Sequence, residues 1–273
     1  MARKRITEIF PFLVPIRIWQ RNLWYQIKMY FDKNKYSKEK GELLQYEICS
    51  EKTFMINENS GQDIIYQVNK VDNLKVISKT MNSILIKPGE TFSFCYLARY
   101  AKKYGKYKDG LVLVNNKIVP QKGGGICHLS NLLYQLFLQT PLTIVERHGH
   151  KVKSFPNPDS KSLEGIDATI NSGWLDLKVR NDTDATYQIS IDFDKQYMYG
   201  KILSNEKMNT CHTIINDNFK YIKRNGKIYE STSVIKIISE KETGKEIERV
   251  KLYDEVVEIK YELPENVEIE GIV

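Results

Sequence analysis

No two cysteines in this chain form a Cys-x-x-Cys pair. The four thiols, Cys49, Cys95, Cys127 and Cys211, are scattered, which argues against a metal site of the zinc-finger kind. The chain is too long and too well supplied with apolar residues to need disulfide staples, so the cysteines read as reduced thiols in a reducing compartment. No apolar run is long enough to cross a bilayer. Residues 1–31 begin with basic side chains, as an export signal does. Their apolar run, 9–16, is short, is broken by Pro11 and Pro15, and lacks a small-residue cleavage site. A cytoplasmic location is expected, either free or at the inner face of the membrane. There is no internal repeat, no low-complexity tract and nothing like a helix-turn-helix or other nucleic-acid module, so no nucleic-acid partner is expected. No cofactor is expected either.

What is present is ordinary for a globular protein with a real core: 41% hydrophobic and 27% charged residues in a chain of 273. The balance of 41 basic to 34 acidic residues gives a net charge of +7. That fits either a basic surface of no particular purpose or an anionic partner such as a membrane or cell-wall polymer. In the N-terminal stretch Ile16, Trp19, Leu23, Ile27 and Tyr30 share one helical face, with Arg17, Arg21 and Lys28 elsewhere. Two readings stay open: a peripheral membrane anchor over 9–31, or an amphipathic helix packed on the protein's own core.

The periodicities predict an α+β fold: a central, mostly antiparallel sheet with a cysteine-bearing helix, a basic N-terminal helix and an all-β C-terminal part. Three regions are expected: 1–40 as amphipathic helix and linker, 41–205 as the core domain, and 206–273 as a β-rich subdomain or sheet extension. Helical spacing marks 69–85 and 126–138. Strands are expected over 43–55, 142–145, 167–170, 174–180 and 187–193, the second of them buried. Asn115-Asn116 and Asn225-Gly226 each sit between strand-like runs, as hairpin turns do.

The segment Gly123-Gly124-Gly125-Ile126-Cys127-His128-Leu129-Ser130 carries the strongest chemical signal. Glycines permit unusual backbone angles and close approach of a ligand. The helix that follows begins with unpaired N–H groups bearing partial positive charge, which favour a thiolate and could stabilise an oxyanion. Histidine is scarce, four in the chain, yet His148 and His150 follow just beyond the next strand. A helix antiparallel to that strand returns them toward Cys127, a layout analogous to that of papain-like enzymes. In an extended segment only one of the two can face the thiol. The blander reading is a tight glycine turn, a buried thiol and surface histidines. A metal site on Cys127, His148 and His150 is weaker still, for want of a second anchoring pair.

GGGICHLSNLLY, with PGETFSF upstream and ERHGH and GIDATI downstream, resembles the VanW family. The likeness runs from RKRITEIFPFLVPIR through KVRNDTDATYQI to the tail. The resemblance implies a link to glycopeptide (vancomycin) resistance. Some secreted proteins with this domain act as peptidoglycan L,D-transpeptidases with a cysteine nucleophile. On that likeness Cys127 matches the nucleophile, His150 the base and Asp167, in the G-x-D-A-T segment, the group that orients it. Gly123, Gly124, Gly125, His128, Ser130 and His148 are the candidate substrate-binding residues. Asp167 has a bland alternative as a turn cap, and Ser130 as a plain polar helix residue. The family usually has Gln after the cysteine, where this chain has His128. The expected partner is a peptidoglycan precursor or stem peptide, and the rival reading is a non-catalytic accessory protein that binds such precursors or the membrane surface.

Overall fold

The computed structural model describes residues 9–58, 61–114, 117–154, 156, 163–264 and 266–271. The α+β class holds, but in place of one central sheet the described residues form four separate ones. Helix α1 (Val14–Phe31) leads into β1 (Lys35–Tyr36), β2 (Tyr46–Phe54), α2 (Ile64–Met81), β3 (Leu85–Ile86), β4 (Glu90–Ser93) and the short α3 (Phe94–Ala98). Then come β5 (Asp109–Val114), β6 (Lys117–Lys122), α4 (Cys127–Leu138), β7 (Thr143–Glu146), β8 (Val152–Lys153), β9 (Lys178–Arg180), β10 (Tyr187–Phe193) and β11 (Tyr197–Ser204). Three long strands, β12 (Thr210–Arg224), β13 (Lys227–Glu240) and β14 (Glu246–Ile259), precede β15 (Ile269–Gly271).

The sheet orders are β1-β4-β9-β7, β2-β11-β10-β3, β15-β12-β13-β14-β8 and the ribbon β5-β6. Leu74, Ile77 and Met81 of α2 meet Leu129, Leu132, Leu133, Leu136 and Phe137 of α4, with Phe92, Val179, Ile189 and Ile202 from the strands, in one buried cluster. The apolar stripes expected over 69–85 and 126–138 are the faces that enter it. Helix α2 begins earlier than its stripe because the Asp63 carboxylate caps it, accepting from the Ile65 N–H at 3.0 Å. It stops at Asn82, before Ser83 takes a left-handed φ of 67°.

Three strand expectations need correction. The run 142–145 is not a buried strand: β7 is the edge of its sheet and its residues are half-buried or exposed in alternation. Residues 167–170 form no ladder and are held by side chains instead, as described below. The stretch 174–180 is strand only over Lys178–Arg180: the Trp174 N–H closes a turn on the Asn171 carbonyl at 2.9 Å, and Leu175 makes a single bridge to Asn171. The Asn115-Asn116 turn lies outside the described residues, though the strands on either side pair as expected. Asn225 and Gly226, with φ of 50° and 74°, join β12 to β13. Strand β14 pairs in turn with β8, which leaves His150 by two residues, so the long C-terminal strands run beside the histidine loop. Among the described residues no helix is long and apolar enough to cross a membrane.

Candidate functional site

Helices α2 and α3 each receive a side-chain cap, from Asp63 and Ser93. The N-terminus of α4, where Cys127 sits, has none. The amides of His128 and Leu129 close tight turns on the carbonyls of Gly125 and Ile126, at 3.1 and 3.0 Å. The glycines before it are closely packed by the protein itself. Gly124 lies against the backbone of Gly110 in β5, so a Cβ on Gly124 would fall 2.1 Å from the Gly110 carbonyl. Gly125, at φ 87°, is crossed by the Lys70 side chain, which a Cβ would meet at 2.3 Å. The fully buried Asn73 ties this turn to the preceding loop, donating to the Gly124 and Lys108 carbonyls at 3.0 Å and accepting from the Lys108 N–H at 2.8 Å. The glycines thus admit neighbouring chain and fix the point at which α4 begins.

Cys127 is half-buried, its Sγ 3.8 Å from the Ile170 carbonyl, and it lies near enough to the His150 ring to act on that ring's protonation. The other side of that ring is held: His150 Nδ1 donates to the Asp167 carboxylate, which also accepts the His150 backbone N–H at 2.7 Å. With Nδ1 engaged, Nε2 is the nitrogen left for the sulfur. Arg147 supports Asp167 from behind. It donates to Asp167 Oδ1 and to the Asp167 carbonyl, each at 2.6 Å, and to Glu255 of β14, also at 2.6 Å. Its guanidinium lies over the rings of Tyr134 and Tyr253, 5.3 and 4.8 Å from their centroids.

The electrostatics follow from this chain of contacts. Burial acts to lower the pKa of His150, but the Asp167 hydrogen bond and then the Cys127 contact outweigh it and bring it up to about 10. Burial acts to raise Asp167, yet the His150 bond, the His150 charge and Arg147 together hold it below the usual carboxylate range. At neutral pH the arrangement is therefore an imidazolium between a carboxylate and a half-buried sulfur.

The G-x-D-A-T segment is positioned by α4. The Ala168 N–H donates to Asn131 Oδ1 at 2.8 Å, and Ser130 Oγ donates to the Ala168 carbonyl at 2.5 Å. Fixing Ala168 sets Asp167 toward His150 on one side, while on the other the Thr169 N–H donates to the His148 carbonyl at 2.7 Å. Ser130 is completely buried and its hydroxyl faces backbone carbonyls, so it lies in the scaffold and not on an open surface.

The two histidines of ERHGH diverge, as an extended segment requires. The His148 ring pairs with Glu146 at 3.0 Å, and Glu146 also holds Lys178 at 3.0 Å. Glu146 and Lys178 line an open recess of about 650 Å³ beneath α1, together with Tyr25, Met29 and Trp174; Cys127 is not among its lining residues. His128 is turned the other way from His150. Its Nε2 is 2.8 Å from Thr53 Oγ1 of β2, and burial, followed by the nearby Lys70 charge, pushes its pKa down to about 3. Among the described residues no group of three or more His, Cys, Asp and Glu is arranged to hold a metal ion.

Several residues of the site give no signal in the sequence reading. Arg147 sits inside ERHGH but reads as one charge in a loop. Glu255 comes from the far C-terminal strand, and Asn131 and Asn73 read as polar helix residues. All four are buried or half-buried polar groups that act through contacts distant in sequence. The only available hint is the cost of burying such groups unpaired.

The VanW like protein family model matches residues 69–203, a span that holds Cys127, His150 and Asp167. The chain is 46% identical over 271 residues to the vancomycin B-type resistance protein VanW of Enterococcus faecalis, covering 99% of this chain and 98% of that protein. The chain belongs to the VanW family. The chain is also 25% identical over 189 residues to the uncharacterized protein YoaR of Bacillus subtilis, covering 64% of this chain and 58% of that one. No solved structure matches this VanW-family chain.

Proposed function

We propose that this VanW-family protein is a cysteine-dependent acyl transferase of L,D-transpeptidase type, or the corresponding hydrolase, acting on peptidoglycan peptide precursors. We further propose a part in vancomycin resistance, the property for which its Enterococcus relative is named. The observation that supports this reading is the series His150, Asp167, Arg147, in which each polar group is oriented by the next, set beside the Cys127 sulfur.

In the reaction so read, the Cys127 thiolate attacks a peptide carbonyl to form a carbon–sulfur bond. The His150 imidazolium gives its proton to the leaving amine as the carbon–nitrogen bond breaks. An acceptor amine or water then attacks the thioester, neutral His150 takes the proton it loses, and the thiolate departs. Positive potential at the uncapped start of α4 favours the oxyanion of each tetrahedral intermediate. In a cytoplasmic setting the substrates are soluble or lipid-linked precursors.

Mass spectrometry of the folded protein after incubation with muropeptides and precursor tests this. A thioester adduct on Cys127, absent from Cys127→Ser, is expected. Intact Cys127 with no product across those substrates would count decisively against the reading. A second reading, precursor binding without chemistry, is favoured by the half-buried sulfur resting against the Ile170 carbonyl. On that reading Cys127→Ser keeps both ligand binding and the resistance phenotype, whereas the enzyme reading requires the phenotype to be lost.

A further inference from the structure

The chain has three tryptophans, Trp19, Trp24 and Trp174. None is in the core: they are 64%, 59% and 62% exposed. All three belong to one region, since α1 carries the first two and lies against the loop bearing the third, with Arg21 stacked 5.5 Å from the Trp174 ring. Exposed apolar residues continue along and around the helix: Phe12, Ile16, Leu23, Tyr30 and Phe31. A globular protein does not ordinarily leave such a patch in water.

Helix α1 is fixed to the body by a narrow stripe. Tyr25 donates to the buried Asp176 at 2.8 Å, Ser172 donates to Asn22 at 3.1 Å, and Met29 is the helix's one buried residue. Phe12, Ile16, Trp19, Leu23, Ile27 and Tyr30 share a different stripe, roughly 120° round the helix at 3.6 residues per turn. The reading of α1 as a helix packed on its own core therefore fits only one side of it. From residue 9 to residue 31 there is no acidic side chain, while Arg17, Arg21 and Lys28 are basic, and the first eight residues add Arg3, Lys4 and Arg5.

We propose that α1, together with Trp174, docks the protein on an anionic phospholipid surface, lying in the plane of the headgroups. Aromatic rings with one polar edge suit that boundary, leucine and isoleucine enter the acyl layer, and the basic residues meet the lipid phosphates. A second protein chain would fit the apolar stripe alone. The absence of acid along the whole element, with Arg17, Arg21 and Lys28 on it, selects an anionic bilayer.

The docking loop is continuous with the candidate site. Asn171, Ser172 and Gly173, which pack on Arg21 and Asn22, directly follow Ile170, whose carbonyl touches the Cys127 sulfur. Docking thus holds Cys127 close to the membrane plane, where a substrate with a lipid tail is reached by lateral diffusion. The docking itself does not depend on chemistry at Cys127.

The test is co-sedimentation of the full-length protein with vesicles of phosphatidylcholine alone and of phosphatidylcholine mixed with phosphatidylglycerol, with tryptophan emission recorded in parallel. We expect binding to the anionic vesicles, weakened by salt, with a blue shift in emission. Trp19→Glu combined with Leu23→Glu, both at exposed positions, is expected to lower partitioning at least about tenfold. Alkylation of Cys127 by a soluble reagent is followed in the same variant; an unchanged rate shows that the fold and the site survive. Three results overturn the proposal: no binding to either vesicle, binding unaffected by the double substitution, or a dimer in solution that the double substitution dissolves while vesicles are ignored.

Discussion

His150 and His128 flank the same thiol, and burial acts on both in the same direction. On the His150 side the protein adds a carboxylate, a second cation behind it and the sulfur in front, and the imidazole is held as its conjugate acid. On the His128 side it adds a threonine hydroxyl and the nearby Lys70 charge, which acts with burial, and the imidazole is held neutral. Burial is the main cause that holds His128 neutral, and at His150 the charged groups placed in its first contacts override it. The difference also assigns roles: a ring that carries a proton toward the sulfur on one side, and a neutral strut between α4 and β2 on the other.

The largest effect expected is the loss of the proposed nucleophile. Cys127→Ser should lower single-turnover acyl transfer by about 10⁴-fold or more, with the thermal midpoint nearly unchanged. Next is Asp167→Asn, which removes the charge but keeps the shape. His150 should then titrate well below 10, seen by NMR of the ring, and the transfer rate should fall about 10²- to 10⁴-fold. If the His150 titration does not move, Asp167 is not what sets the two histidines apart. Arg147→Met leaves Asp167 and Glu255 without their shared cation. A cost of roughly 3 kcal/mol in chemical denaturation is expected, since both carboxylates are mostly buried.

The two histidines should also divide the pH dependence of stability. His150, raised to about 10 from an ordinary 6.5, contributes fully below 6.5, and that contribution is lost as pH rises through about 10. His128, lowered from 6.5 to about 3, contributes above 6.5 and is lost as pH falls toward 3, a limb it shares with Asp167. Urea midpoints across pH 4 to 10.5 should show His150→Gln flattening the alkaline limb and His128→Gln the acid one. The smallest effect expected is on thiol reactivity in His128→Gln: alkylation of Cys127 within about twofold of wild type, against about tenfold or more slowing in His150→Gln at pH 6. Equal slowing by the two would erase the contrast.

How much of this was legible in the sequence depends on how local the cause is. The Asn225-Gly226 turn, the stripe of α4 and the cysteine at its start each depend on neighbours a few residues away, and they read directly. The alternation that separates His148 from His150 is also local. The strand expected over 167–170 failed because its β-like pattern is satisfied by Ser130 and Asn131 instead of a partner strand. The run 142–145 is apolar and β-branched yet lies at a sheet edge, and its own residues carry no sign of which strand lacks a neighbour. The glycine run read as room for a ligand, whereas Gly110 and Lys70 occupy that room, and neither is near it in sequence. The family likeness rests on the same local segments, which is why it was visible where Glu255 was not.

Glu255 changes how the protein can be divided. The span 69–203 contains every motif residue, from the glycine turn through Cys127, His150 and Asp167. Arg147 shares its charge between Asp167 inside that span and Glu255 outside it. A fragment trimmed to the span would keep the letters of the site and lose one of the two carboxylates that balance Arg147, along with the strand pairing that steadies the segment after His150. For anyone choosing expression boundaries, or transplanting this site onto another scaffold, the minimal unit is set by charge balance and reaches at least to β14.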